Sequence, residues 1–179
     1  MKVIRILFNV CRFFKLKLLR KYVGSCIQTI PLSTQVIVEK NGKLEIKGRL
    51  SSRSNGYICA IGKLTIEEGC FINNNVQITS LDRIKIDKNV IIGPNVVIVD
   101  HDHNYKSKDR RSTFVTDPIV IGEDVWIGAN SVILKGTKIG KGCVVGAGSI
   151  VKGQYDDNTI IIQGRKTTGK KIKKSDTLN

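Results

Sequence analysis

The chain has 179 residues, 41% of them apolar, and 30 Lys and Arg against 15 Asp and Glu give it a formal net charge of +15. That length suits one domain with short appendages, and the charge calls for an anionic partner, but the positive residues gather at both ends without interleaved aromatics, which argues against nucleic acid. No apolar run approaches the roughly eighteen residues of a spanning helix. The five cysteines form no Cys-x-x-Cys pair and no even framework, which argues against a disulfide scaffold and for a reducing compartment.

Residues 1–23 carry seven positive charges and no acid. On a helical wheel Val3, Leu7, Val10, Cys11, Phe14 and Leu18 share one side, with Arg5, Arg12 and Arg20 opposite, so a basic amphipathic helix is expected. Two uses fit it: packing its apolar side on an open end of the fold, or lying on an anionic membrane surface. Because Arg5, Arg12, Lys15 and Lys17 interrupt the apolar residues and no cleavage site follows, no cleavable signal is read, and the expected location is the cytoplasm, with peripheral attachment to the inner face of the membrane.

Residues 24–163 read as one β domain. Alternation in Val36–Val38 and in Lys43–Lys47 suits strands, with Asn41-Gly42 as a tight turn between them, though the register slips here. From Ile66 the pattern becomes regular. An aliphatic residue returns every six positions at Ile66, Ile72 and Ile78, then at Ile86, Ile92 and Ile98, and again at Ile121, Ile127, Ile133, Ile139, Val145 and Val151. Two extra residues between Ile78 and Ile86 predict a small bulge at one corner. A period of six belongs to neither a helix nor a plain strand.

Three residues after each aliphatic comes Asn89, Asn95, Asp124, Asn130, Gly136, Gly142 or Gly148, types that reach positive φ at low cost. Four residues after it comes a second inward position, filled by Val90, Val96, Val125, Ser131, Thr137, Cys143 or Ser149. One short strand and one corner per hexad, three times over, closes a triangular coil of eighteen residues. Stacked coils make a parallel β-solenoid whose interior is a column of Ile and Val. Outward-facing Trp126, Ile91, Val97, Val132, Val144 and Ile150 are too many for a monomer to expose, so neighbouring subunits are expected to cover them.

The array breaks once. Residues 99–118 form a polar excursion, and it holds both histidines of the chain, in Asp100-His101-Asp102-His103. An imidazole near neutral pKa suits a general base, and a neighbouring carboxylate, Asp100 or Asp102, would fix its tautomer. Beyond the array, residues 164–179 form a basic tail.

The pairs Ile92-Gly93, Ile121-Gly122, Ile127-Gly128, Ile139-Gly140 and Val145-Gly146 resemble the hexapeptide-repeat acyltransferases, in the branch acting on maltose, galactosides, antibiotics and surface polysaccharides. The resemblance implies an all-β fold, a left-handed parallel β-helix, with the amphipathic helix and one protruding loop as additions. It implies a homotrimer with active sites between subunits, and acetyl-CoA as co-substrate with no metal. By position it makes His101, preferred over His103, the general base and Asn73 the residue that holds the acceptor. Trp126 would border the coenzyme A channel. Gly128, Ala129, Gly146 and Ala147 would meet the pantetheine arm, with the Ala129 N–H available to an oxyanion. Lys152, Arg165 and Lys166 are candidates for the coenzyme's phosphates, although Val151-Lys152-Gly153-Gln154 and Gly164-Arg165-Lys166-Thr167 depart from the pattern that commonly ends the family's array.

The expected activity is transfer of acetyl from acetyl-CoA to a sugar hydroxyl, in cell-surface polysaccharide synthesis, by direct attack. Alternatives are a sugar N-acetyltransferase, a non-enzymatic membrane-associated binding solenoid, and a γ-type carbonic anhydrase. The last needs three histidines per zinc, where the chain has two.

Overall fold

A computed structural model of the protein describes residues 2–39 and 41–164. Three parallel sheets, one of seven strands and two of six, form the faces of a triangular prism. The first face climbs from Tyr22–Gly24 through Lys43–Ile46, Lys63–Ile66, Arg83–Ile86, Ile119–Ile121 and Lys138–Ile139 to Gln154–Tyr155. The second climbs from Ser51–Ser52 through Phe71–Ile72, Ile91–Ile92, Trp126–Ile127 and Val144–Val145 to Ile160–Ile161. The third climbs from Gln35–Val38 through Tyr57–Ala60, Gln77–Ser80, Val97–Val99 and Val132–Ile133 to Ile150–Val151.

The hexads explain why the chain winds this way. Every aliphatic from Ile86 to Val151 in the six-residue series points inside, none more than 2% exposed, and the second inward positions are buried with them. The corner residues Asn89, Asn95, Asp124, Asn130, Gly136, Gly142 and Gly148 all adopt φ between 57° and 77°, the left-handed region that turns the strand toward the next face. Across coils the side chains of Asn75, Asn95 and Asn130 form a ladder, with amide-to-amide hydrogen bonds of 3.0 and 3.1 Å.

Coil length is not constant. Ile121, Ile127 and Ile133 pair with Ile139, Val145 and Val151, eighteen residues on. Lower down, Ile46 pairs with Ile66 and Ile66 with Ile86, twenty residues on, and Tyr22 pairs with Leu44, twenty-two on. The additional residues sit on one edge, where the third face turns into the first. The bulge expected between Ile78 and Ile86 is there, at Leu81-Asp82, and Ile61-Gly62 occupies the same corner one coil below. The excursion leaves from this edge too, so Ile86 pairs with Ile121, thirty-five residues on. Rather than an open loop, the excursion is an antiparallel hairpin of His101–His103 with Phe114–Thr116.

The N-terminal helix, α1 (Lys2–Leu18), caps the open end, but with the opposite side from the one expected. Phe13 is fully buried and stacks on Tyr22 at 4.7 Å, and Asn9 beside it is also fully buried. Val3, Leu7, Phe14 and Leu18, the apolar side of the wheel, are 55–77% exposed. The reason lies in the first coil. Its end presents backbone carbonyls with no further strand to donate to them, so the cap must bring donors. The Asn9 amide donates to Gln28 O and Ile30 O, and the Arg12 guanidinium donates to Thr34 O at 3.0 Å. Arg12 therefore lies half-buried against the solenoid rather than out in solvent, and burial pulls its pKa down.

Candidate active site

The edge between the third and first faces positions the histidines. Inward positions along it read Val38, Ala60, Ser80 and then Asp100, so the column of buried residues turns polar where the hairpin begins. Asp100 has no exposed surface, and four donors converge on its carboxylate. Leu81 N–H donates at 2.7 Å, Asp82 N–H at 3.0 Å and the Ser80 hydroxyl at 3.1 Å. The fourth is His101, whose Nδ1 lies 3.1 Å from Asp100 Oδ1. A carboxylate taken out of water needs such partners. Its contact makes Nδ1 the protonated ring nitrogen and leaves the lone pair on Nε2. His101 is otherwise steadied by Phe114, whose ring meets it edge-on at 5.6 Å.

His103 is held differently. Its Nδ1 donates to the Arg110 carbonyl at 2.7 Å, its ring leans on Phe114, and it stands exposed on the hairpin. Asp102, the other carboxylate considered as the imidazole's partner, pairs instead with Lys135 at 3.4 Å. Lys135 also donates to the Val115 carbonyl, tying both hairpin strands to the coil above. Among the described residues no three His, Cys, Asp or Glu side chains converge as a metal site.

Asn73, Gly128, Ala129, Gly146 and Ala147 lie along a different edge, between the second and third faces. Asn73 N–H donates to Ile92 O, Gly93 N–H to Ile127 O and Gly128 N–H to Val145 O, which places Asn73, Gly93, Gly128 and Gly146 one above another. Asn73 is half-buried, and its side-chain oxygen accepts from the next N–H at 2.8 Å. Gly128 is required by the winding itself, because a Cβ there would sit 2.6 Å from Ala147 N in the corner above. The corner bonds are made by Gly128 and Asn130, leaving the N–H groups of Ala129 and Ala147 with no acceptor among the described residues. Trp126 stands on the second face beside this edge, 54% exposed, in register with Ile91 and Val144. Lys152 is exposed on the other edge, the one His101 occupies. Arg165 and Lys166 lie outside the described residues.

Residues 118–153 match the model of the bacterial transferase hexapeptide family, six repeats. A putative lipopolysaccharide biosynthesis O-acetyl transferase of Escherichia coli is 36% identical over 110 residues, 56% of either chain. Over this stretch the chain is similar to the hexapeptide-repeat transferases. A galactoside O-acetyltransferase of Lactococcus lactis is 33% identical over 60% of this chain and 53% of its own. Matches of this kind span about half the length of the curated relatives. Among solved structures, a maltose O-acetyltransferase from Clostridium difficile is 25% identical, with a TM-score of 0.52 over 90% of this chain and 82% of its own. An N-acyltransferase from Bacillus cereus, solved with dTDP and coenzyme A, shares the fold at 21% identity, with a TM-score of 0.65 and 84% of each chain covered. The solenoid is thus the left-handed parallel β-helix of the hexapeptide-repeat transferases.

Within this solenoid the sequence pattern missed three members of the histidine cluster. Ser80 carried a usable signal, since it is the first polar residue in an inward column otherwise filled by Val38 and Ala60. Phe114 and Lys135 carried none, because which residue closes a hairpin onto its starting point is a matter of register that no period encodes.

Proposed function

We propose that this chain transfers an acetyl group from acetyl-CoA to a sugar hydroxyl, as a homotrimer at the cytoplasmic face of the membrane, in the making of a cell-surface carbohydrate. The observation that carries the proposal is the His101 imidazole with Nδ1 committed to a buried carboxylate and Nε2 free. His101 Nε2 takes the acceptor's hydroxyl proton while that oxygen attacks the thioester carbonyl. An N–H of the Ala129 kind, with no acceptor of its own, receives the oxyanion. When the carbon–sulfur bond breaks, the imidazolium returns the proton to the departing thiolate, so the enzyme ends as it began. Asp100 keeps the ring in the tautomer this requires and steadies its charge between the two transfers.

One chain separates the two halves of this site. His101 is on one edge of the prism and Asn73, Gly128 and Ala129 are on another, and both edges bound the third face. That face carries Val97, Val132 and Ile150 outward in register. Three copies packed with their third faces toward a common axis bring the His101 edge of each beside the Ala129 edge of the next. Trp126 and the small corners Gly146 and Ala147 then flank the groove where the pantetheine arm runs, with Lys152 near its mouth. The name of the Escherichia coli relative supports a surface-carbohydrate acceptor.

The test is thiol release from acetyl-CoA over a panel of sugars and amino sugars. We expect turnover with hydroxyl acceptors and a loss of about 10²- to 10⁴-fold for His101→Ala, the usual contribution of a general base, with less than about tenfold for His103→Ala. The reverse ranking, or turnover with amino sugars alone, overturns the reading.

A further inference from the structure

We infer that the outward side of the N-terminal helix is the surface by which the protein binds an anionic lipid bilayer, standing the solenoid upright on the membrane. The inference deepens the peripheral location proposed above and rests on it, while its evidence lies in the N-terminal helix, away from the residues of the chemistry.

Capping the solenoid uses Asn9, Arg12 and Phe13. The side that remains is apolar along its whole length: Val3, Ile4, Leu7, Phe14 and Leu18 are each more than half exposed, and Cys11 among them is exposed as well. A helix that only closed the end of a soluble solenoid would turn a polar side to water. This one turns its polar contacts inward and its apolar ones outward. Exposed Lys15 and Lys17 border the stripe, and no acid occurs before Glu39. An apolar stripe with basic borders and no acid complements a surface of anionic headgroups over acyl chains. A second copy of the same helix would bring like charges together along that border. No described helix is long and apolar enough to cross a membrane, so the contact is interfacial.

The placement fixes where the chemistry happens. The helix covers the first coil, and the His101 hairpin leaves the fourth strand of the third face. Three inter-strand steps of about 4.8 Å and a helix about 10 Å thick put His101 roughly 25 Å above the lipid surface. An acceptor sugar attached directly to a lipid headgroup would not reach it. The acceptor class that fits is a lipid-linked carbohydrate whose chain holds the reacting hydroxyl away from the bilayer.

The test is co-sedimentation of the full chain with vesicles of phosphatidylcholine, or of phosphatidylcholine with about a third phosphatidylglycerol, a strongly anionic surface. We expect binding to the anionic vesicles at least about tenfold tighter than to the neutral ones and weakened by salt. Leu7→Asp combined with Phe14→Asp should lose that binding by more than about tenfold. Both positions are exposed, so the variant should keep its thermal unfolding temperature and its turnover of a water-soluble acceptor. As a measurement without a variant, maleimide labelling of Cys11 should slow when anionic vesicles are added. Cys59, Cys70 and Cys143 are buried, burial pushes the Cys70 thiol up to about 11, and half-buried Cys26 is read apart from Cys11 by mass spectrometry of the labelled peptides. Unchanged Cys11 labelling, full vesicle binding by the double variant, or loss of the oligomer in that variant overturns the inference, the last by giving this face to a second subunit. None of these readings requires acetyl transfer, so an inactive protein that binds vesicles, or an active one that does not, tells the two proposals apart.

Discussion

Two edges of the same prism have opposite characters. Between the second and third faces, each coil repeats the last: Asn75, Asn95 and Asn130 share the same positive φ and are joined side chain to side chain. Between the third and first faces, the corner is two residues longer in the lower coils, opens into a hairpin at Asp100, and shortens again above. A corner bonded to its neighbours above and below cannot change length without breaking the ladder. The other corner is bonded between coils too, but without a repeating side-chain ladder, and it accepts an insertion because closing a longer loop adds free energy only slowly. The rigid edge supplies fixed backbone N–H groups, and the permissive edge supplies the imidazole.

That contrast can be broken by substitution. The largest effect is expected on the permissive edge, where everything depends on one carboxylate. Asp100→Ala leaves Leu81 N–H, Asp82 N–H and the Ser80 hydroxyl buried without their acceptor, and should lower stability by about 3–5 kcal/mol, the usual result of removing one member of a buried charged cluster. Asp100→Asn, which keeps an acceptor oxygen, should recover much of that stability in urea unfolding while leaving turnover low, because an amide does not steady an imidazolium. Equal stability of wild type and Asp100→Ala would mean the hairpin is held some other way.

A middle effect is expected on the rigid edge. Gly128→Ala drives a methyl group to within 2.6 Å of Ala147 N and should cost about 1–3 kcal/mol through overpacking between coils. The smallest effect sharpens the comparison rather than breaking it. Asn95→Gly keeps the positive φ but removes the middle rung of the asparagine ladder, which is exposed, and should shift the urea midpoint by the equivalent of about 1 kcal/mol. If that substitution proved neutral, bonding between corners would not be what keeps this edge regular.

The sequence by itself determined the winding. A six-residue return of Ile and Val, with a residue suited to positive φ three places on, calls for a three-sided coil with every aliphatic buried and every corner allowed, and the structure follows it residue by residue from Ile86 to Ile98 and from Ile121 to Val151. It also singled out residues 99–118, since an interruption in a strict period is visible without coordinates.

Only the tertiary structure decided three things. It chose Asp100 over Asp102 as the partner of His101, because Asp100 closes the third face with its carboxylate buried under the corner of the coil below, while Asp102 lies out on the hairpin, and alternation alone treats these two flanking carboxylates alike. It separated His101 from Asn73 and Ala129 onto two edges, which a repeat read along one dimension does not distinguish. And it turned the N-terminal helix over. A helical wheel ranks faces by hydropathy, but the end of a solenoid offers bare carbonyls as well as apolar side chains, and a cap must satisfy both.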